Sequence, residues 1–77
     1  MTSAADQSGI SSPIQGTVVA VKVQPDQPVE AGQVLCIVEA MKMENEVVAP
    51  RAGLIEAIHV SPGEAVQAGT LLASLKA

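Results

Sequence analysis

A chain of 77 residues makes one small domain, close to the lower limit of what folds without disulfides or metal. Hydrophobic residues make up 48% of it, with no Phe, Tyr or Trp, and eleven Val and five Ile against five Leu tilt the composition toward strands with thin aliphatic side chains. The net charge of −4, four scattered cations and the lack of any aromatic platform argue against nucleic-acid binding, and apolar runs of about five residues argue against a membrane span.

A single cysteine allows no internal disulfide, and with a single histidine it is too little for a structural zinc site. The first residues have neither the basic start nor the apolar stretch of a signal peptide. The expected setting is therefore reducing and cytoplasmic. Residues Met1 to Gly9 carry nothing apolar enough to anchor them and are expected to form a flexible tail or the remnant of a tether, with the folded domain spanning 10–77.

From Ser12 onward the sequence repeats. A shift of 37 residues carries Pro13 onto Pro50, Gly16 onto Gly53, Ala20 onto Ala57, Val23 onto Val60, Pro25 onto Pro62, Val29 onto Val66 and Ala31-Gly32 onto Ala68-Gly69, without a gap. The matched residues are largely Pro and Gly, whose roles are conformational, so what is duplicated is a backbone path. Two copies are too few for a solenoid and imply a pseudo-two-fold domain closing over one core.

Each half reads as strand, turn, short strand, turn, strand. Thr17–Val23 and Leu54–Val60 are the opening strands. Gln24–Pro28 and Ser61–Glu64 are turns, Val29 and Val66 anchor very short segments, and Val34–Glu39 and Leu71–Lys76 are the closing strands. Gly16, Gly32, Gly53 and Gly69 are expected to be the structural turn glycines. Parity puts Val34, Cys36 and Val38 inward with Leu71, Ala73 and Leu75, and Glu39 and Lys76 outward. Cys36 is then a small core residue and His59 an exposed strand residue. Ile55 and Ile58 cannot both face inward without a bulge or a fully buried segment, and the pattern does not choose between them. No window carries helical apolar spacing. The predicted fold is all-β: a flattened antiparallel barrel or sandwich of two sheets of about four strands, related by pseudo-two-fold symmetry.

Between the halves lies Glu39-Ala40-Met41-Lys42-Met43-Glu44. Met43–Val48 reads as a strand returning from the first half, with a turn at Met41-Lys42, so Lys42 is expected on an exposed hairpin remote from both termini. Large apolar side chains are not ordinary hairpin-tip filler, whereas soft, adaptable ones suit a surface met by several partners. No nucleophile–base pair, carboxylate dyad or phosphate-binding glycine loop appears, so no catalysis by the chain itself is expected.

The motif Glu39-Ala40-Met41-Lys42-Met43, together with the repeat over residues 12–77, resembles the biotin-attachment site of biotin carboxyl carrier proteins and biotinyl domains. The resemblance implies a barrel-sandwich hybrid fold and covalent biotin on Lys42, with Glu39, Ala40, Met41, Met43 and Glu44 recognised by partner enzymes. It also implies three such partners, a biotin protein ligase, a biotin carboxylase and a carboxyltransferase, acting on a monomeric domain that belongs to a biotin-dependent carboxylase such as an acyl-CoA carboxylase. The sibling lipoyl domain shares the architecture but usually carries an acidic residue before the lysine and lacks the Met pair. A lipoyl-type carrier and an unmodified interaction module of the same fold are the alternatives. Some biotinyl domains carry a protruding loop in the first half; here the repeat has no insertion, and none is expected.

Overall fold

Short β-branched segments punctuated by Pro and Gly at equal intervals fold into two equivalent sheets. The computed structural model describes residues 9–76. Its strands are β1 (Gly9–Ser11), β2 (Gly16–Val21), β3 (Pro28–Val29), β4 (Val34–Ala40), β5 (Met43–Val48), β6 (Gly53–Ile58), β7 (Ala65–Val66) and β8 (Leu71–Leu75). Their order is β1-β8-β6-β3 in one sheet and β5-β4-β2-β7 in the other, with every pairing antiparallel. The 37-residue shift turns one order into the other, strand for strand.

The halves are interlocked. β3 leaves its own half to pair with β6, and β7 crosses back to pair with β2. The hydrogen bonds fixing these crossings come in matched sets. Asp26 N–H donates to Ile55 O at 2.7 Å and Gly63 N–H to Val18 O at 2.6 Å. Gly32 N–H donates to Ala49 O and Gly69 N–H to Ser12 O, both at 2.8 Å. Even the turn side chains correspond: Gln27 Oε1 accepts from Gln24 N–H at 3.0 Å, as Glu64 Oε1 does from Ser61 N–H at 3.1 Å.

The most deeply buried large side chains are three equivalent pairs, Val18 with Ile55, Leu35 with Leu72, and Val38 with Leu75. They place one core on the pseudo-two-fold axis. A cavity of about 10 Å³ on that axis is lined by Val21, Leu35 and Cys36 and their equivalents Ile58, Leu72 and Ala73. It is no larger than the smallest space that admits water, and its walls are apolar, so it stays dry.

Four expectations need correction. Gly32 and Gly69 do adopt positive φ (85° and 90°), but Gly16 and Gly53 are not turn residues; they open β2 and β6. Gly16 is required for another reason: a Cβ there would run into the Glu39 carbonyl oxygen and lie 2.9 Å from the Val38 side chain. Secondly, Val34 and Leu71 are not core residues. The register shifts between Val34 and Cys36 opposite β5, and between Ile10 and Ser11 opposite β8, so Leu35 and Leu72 turn inward instead and Leu71 is 40% exposed. These are bulges, which re-aim side chains where simple alternation would not. A third shift, between Ile55 and Ala57, lets Ile55 be buried while Ile58 packs against the core edge. Thirdly, Gly9 does not belong to a tail, since it pairs with Ser74 and leads Ile10 into the core at 5% exposure. The rest of the expected tail, 1–8, lies outside the described residues. Fourthly, the opening strands end at Val21 and Ile58, two residues early, although Val23 and Val60 still enter the core.

Candidate functional site

β4 and β5 form the hairpin that joins the two halves. Their pairing runs from Val34↔Val48 to Ala40↔Met43, leaving Met41 and Lys42 as a two-residue loop. Both loop residues have positive φ, 53° and 64°. That is the primed type I geometry, whose twist matches the flanking strands and which Asn-Gly normally supplies. For an ordinary L-residue the left-handed region costs roughly 1–2 kcal/mol. Two long side chains therefore occupy positions where small or glycine residues would be cheaper, and strain of this kind persists only where surrounding structure over-determines it.

The surrounding structure does so. Val38 and Ala40 face the core, Ala40 at 8% exposure against Gly16. Asn45 sits opposite Val38, and its Nδ2 donates to Val38 O at 3.3 Å and to Met43 O at 3.4 Å, two long bonds that stitch the strands just below the tip. The result is a tip held at a fixed angle. Met41 is 87% exposed, Met43 67%, and Lys42 lies in the open between them.

Glu39 and Glu44 are directly opposed across the hairpin. In this register theirs is a non-hydrogen-bonded pair, with side chains at close quarters, and like charges so placed are destabilising. Glu46 lies on the same outer face, opposite Ile37. Among the described residues the one ion pair is elsewhere, between Lys76 Nζ and Asp26 Oδ1 at 2.8 Å. The tip thus combines a primary amine on a flexible four-carbon stem, two thioethers and a carboxylate surround.

Of the expected site residues, Glu39, Met41, Lys42, Met43 and Glu44 are gathered on the exposed hairpin end. Ala40 is the exception; it is buried, so its part is packing and not recognition. Gly16 and Asn45 were not expected at the site. For Asn45 the signal was present in the sequence, since Asn is depleted in strands yet stands between two glutamates in one. Nothing in Met-Lys announces a primed turn. Cys36 is buried, which pushes its thiol above the usual cysteine range. His59 Nε2 lies 2.8 Å from Ser74 Oγ on the other sheet. Arg51 donates to Lys76 O at 3.0 Å, tying the second half's last strand to the junction.

A family model described as "biotin-requiring enzyme" matches residues 8–75. The gamma subunit of glutaconyl-CoA decarboxylase from Acidaminococcus fermentans is 51% identical over 39 residues, which is 51% of this chain and 27% of that protein. The chain therefore spans about a quarter of that relative's length. Among solved structures, urea carboxylase from Kluyveromyces lactis superposes with a TM-score of 0.83 at 33% identity, over 87% of this chain and 6% of that one. The lipoyl domain of the 2-oxoglutarate dehydrogenase complex from Azotobacter vinelandii superposes with a TM-score of 0.77 at 28% identity, over 91% of this chain and 96% of that one.

Proposed function

The chain belongs to the biotin-requiring enzyme family, and from that premise we propose that Lys42 is its point of covalent biotin attachment. The observation that carries this reading is the strained tip: Lys42 is the second residue of a primed turn without glycine, between two exposed methionines. An exposed amine at a fixed, protruding position is what amide formation by a second enzyme requires. The chain fits the group, because the amine is in the open and the apolar Met pair can lie along an alkyl chain and ring.

Attachment is an acyl transfer. The lone pair on Lys42 Nζ attacks the carbonyl of an activated carboxylate, such as an acyl-adenylate. The nucleotide phosphate leaves, Nζ loses its proton to solvent, and a neutral amide remains. The domain becomes one unit more negative than its formal −4. Activation comes from the adenylate and from a biotin protein ligase, since among the described residues Lys42 makes no ion pair. Biotin, once bound, supplies a ring nitrogen that accepts and releases a carboxyl group.

The chain's own contribution is presentation. β4, Gly16 and Asn45 hold the tip, Lys42 supplies reach, and Met41, Met43, Glu39 and Glu44 offer a surface that a biotin carboxylase and a carboxyltransferase each meet in turn. Tethering replaces free diffusion of the carried group by a high effective concentration at both sites. We assign the domain to a biotin-dependent enzyme acting on an acyl-CoA, following the gamma subunit it resembles.

Co-expression with a biotin protein ligase followed by intact mass tests the assignment. A single biotin addition that disappears in Lys42→Ala is expected. No addition, or an addition that survives the substitution, overturns it. The lipoyl alternative is favoured by the superposition on a lipoyl domain; lipoate ligase in place of the biotin enzyme separates the two, with modification by lipoate alone overturning the biotin assignment.

A further inference from the structure

Met41 and Met43 are the two most exposed large apolar side chains among the described residues; the next, Val48, is 43% exposed. They flank Lys42 in the sequence, and neither contributes to the core. The thiol of Cys36, by contrast, is buried, and that burial raises its pKa. Among the described residues, the two exposed, oxidisable sulfurs thus stand at the attachment hairpin and the third is withheld.

We propose that Met41 and Met43 form a reversible oxidation site that controls access to Lys42, taking a peroxide as oxidant and methionine sulfoxide reductases as the reversing enzymes. This rests on the attachment reading above. In the step itself a lone pair on Sδ attacks one peroxide oxygen and the O–O bond breaks. Each thioether becomes a sulfoxide by two-electron oxidation, and the peroxide is reduced to water, or to an alcohol for an organic hydroperoxide. The reductases, with a dithiol as the two-electron donor, return the oxygen as water and leave the donor as a disulfide, one enzyme for each sulfoxide epimer. The chemistry turns a flexible apolar surface into a polar, chiral one. Because the tip's backbone is held by β4, Gly16 and Asn45 and the methionine side chains lie outside the core, oxidation changes what a partner meets without unfolding the domain. Neighbouring Glu39 and Glu44 leave apolar contact at the tip to these two side chains alone, so its loss has no local substitute.

The test uses the whole chain, hydrogen peroxide, and a biotin protein ligase with biotin and ATP. Trypsin cleavage of the oxidised chain, denatured before any biotin is added, after Lys22, Lys42 and Arg51 puts Met1, Met41 and Met43 in three separate peptides, so each oxygen is assigned. Expected are oxygen on Met41 and Met43, an unchanged melting temperature, and a fall in the biotinylation rate of about tenfold, the size expected for a lost apolar contact. Treatment with both reductases restores the rate. In Met41→Leu/Met43→Leu the ratio of treated to untreated rates is expected to stay near one, whatever the variant's own rate. Equal rates before and after oxidation overturn the inference, as does a rate loss that persists in the leucine variant or that accompanies a fallen melting temperature. Failure of the untreated chain to take biotin overturns the attachment reading instead, and the inference with it.

Discussion

The ends of β4 and β8 are equivalent positions on one duplicated path, and they are finished in opposite ways. After β8 the chain is tied down: Lys76, the counterpart of Glu39, donates its N–H to Leu54 O at 2.8 Å, accepts from Arg51 through its carbonyl, and pairs its ammonium with Asp26. That pairing raises the Lys76 pKa, chiefly through the hydrogen bond to Asp26. After β4 the chain is pushed outward: two carboxylates face each other, two residues sit at unfavourable φ, and two methionines are left largely exposed. Symmetry supplies a stable frame twice. Departures from symmetry, concentrated at one hairpin, mark where local stability has been given up for presentation.

Three comparisons test how far the equivalence extends. The largest effect is expected in the shared core, where Leu35→Ala and Leu72→Ala should each cost about 2–5 kcal/mol in denaturant unfolding, with similar values for the pair. A much smaller cost for either would show that the halves do not share the core equally. Next, Gly16→Ala and Gly53→Ala should differ. The first meets backbone under the hairpin and should cost about 1–3 kcal/mol as overpacking does, while the second meets only the Arg51 guanidinium, which can move aside. Equal costs would remove the steric reason for Gly16. Smallest is the strain itself. Replacing Met41-Lys42 with Asn-Gly should stabilise the domain by about 1–2 kcal/mol, the left-handed penalty relieved, while removing the proposed attachment amine. No gain in melting temperature would mean that the tip is not strained in solution.

The backbone path was legible because its punctuation is made of residues with narrow conformational roles. Pro25 and Pro62, or Gly32 and Gly69, declare a turn wherever they stand, and equal spacing declares the second copy. The motif around Lys42 was legible for a different reason, its resemblance to a known family; spacing by itself gave only a lysine in a connection. Hidden features were those that depend on distant partners. Nothing local in Val34-Leu35-Cys36 says which residue the bulge will turn inward, since all three are apolar and the decision rests with the pairing to β5. Nor does Pro28-Val29 say that its strand joins the other half's sheet. β1 escaped notice because a three-residue strand with a single apolar side chain is indistinguishable from a tail until β8 is placed beside it. Gly16 was misread because close approach and positive φ both select glycine, and only the structure separates them.

The crossing of β3 and β7 has a consequence for the order of events during synthesis. β2, which flanks β4 and so underlies the lysine hairpin, is completed along its other edge by Ala65 and Val66, residues made long after Lys42. Until β6–β8 are made, β2, β4 and β5 form a lone three-stranded sheet whose core face of Val18, Leu35 and Val38 has no second sheet to cover it, and pairings between strands far apart in sequence form late and slowly. A nascent chain that has exposed its lysine but not yet its last strands therefore has no firm tip to offer. Arrival of the final strands acts as a checkpoint, so that the amine stands on a well-formed tip only after β6–β8 have been made.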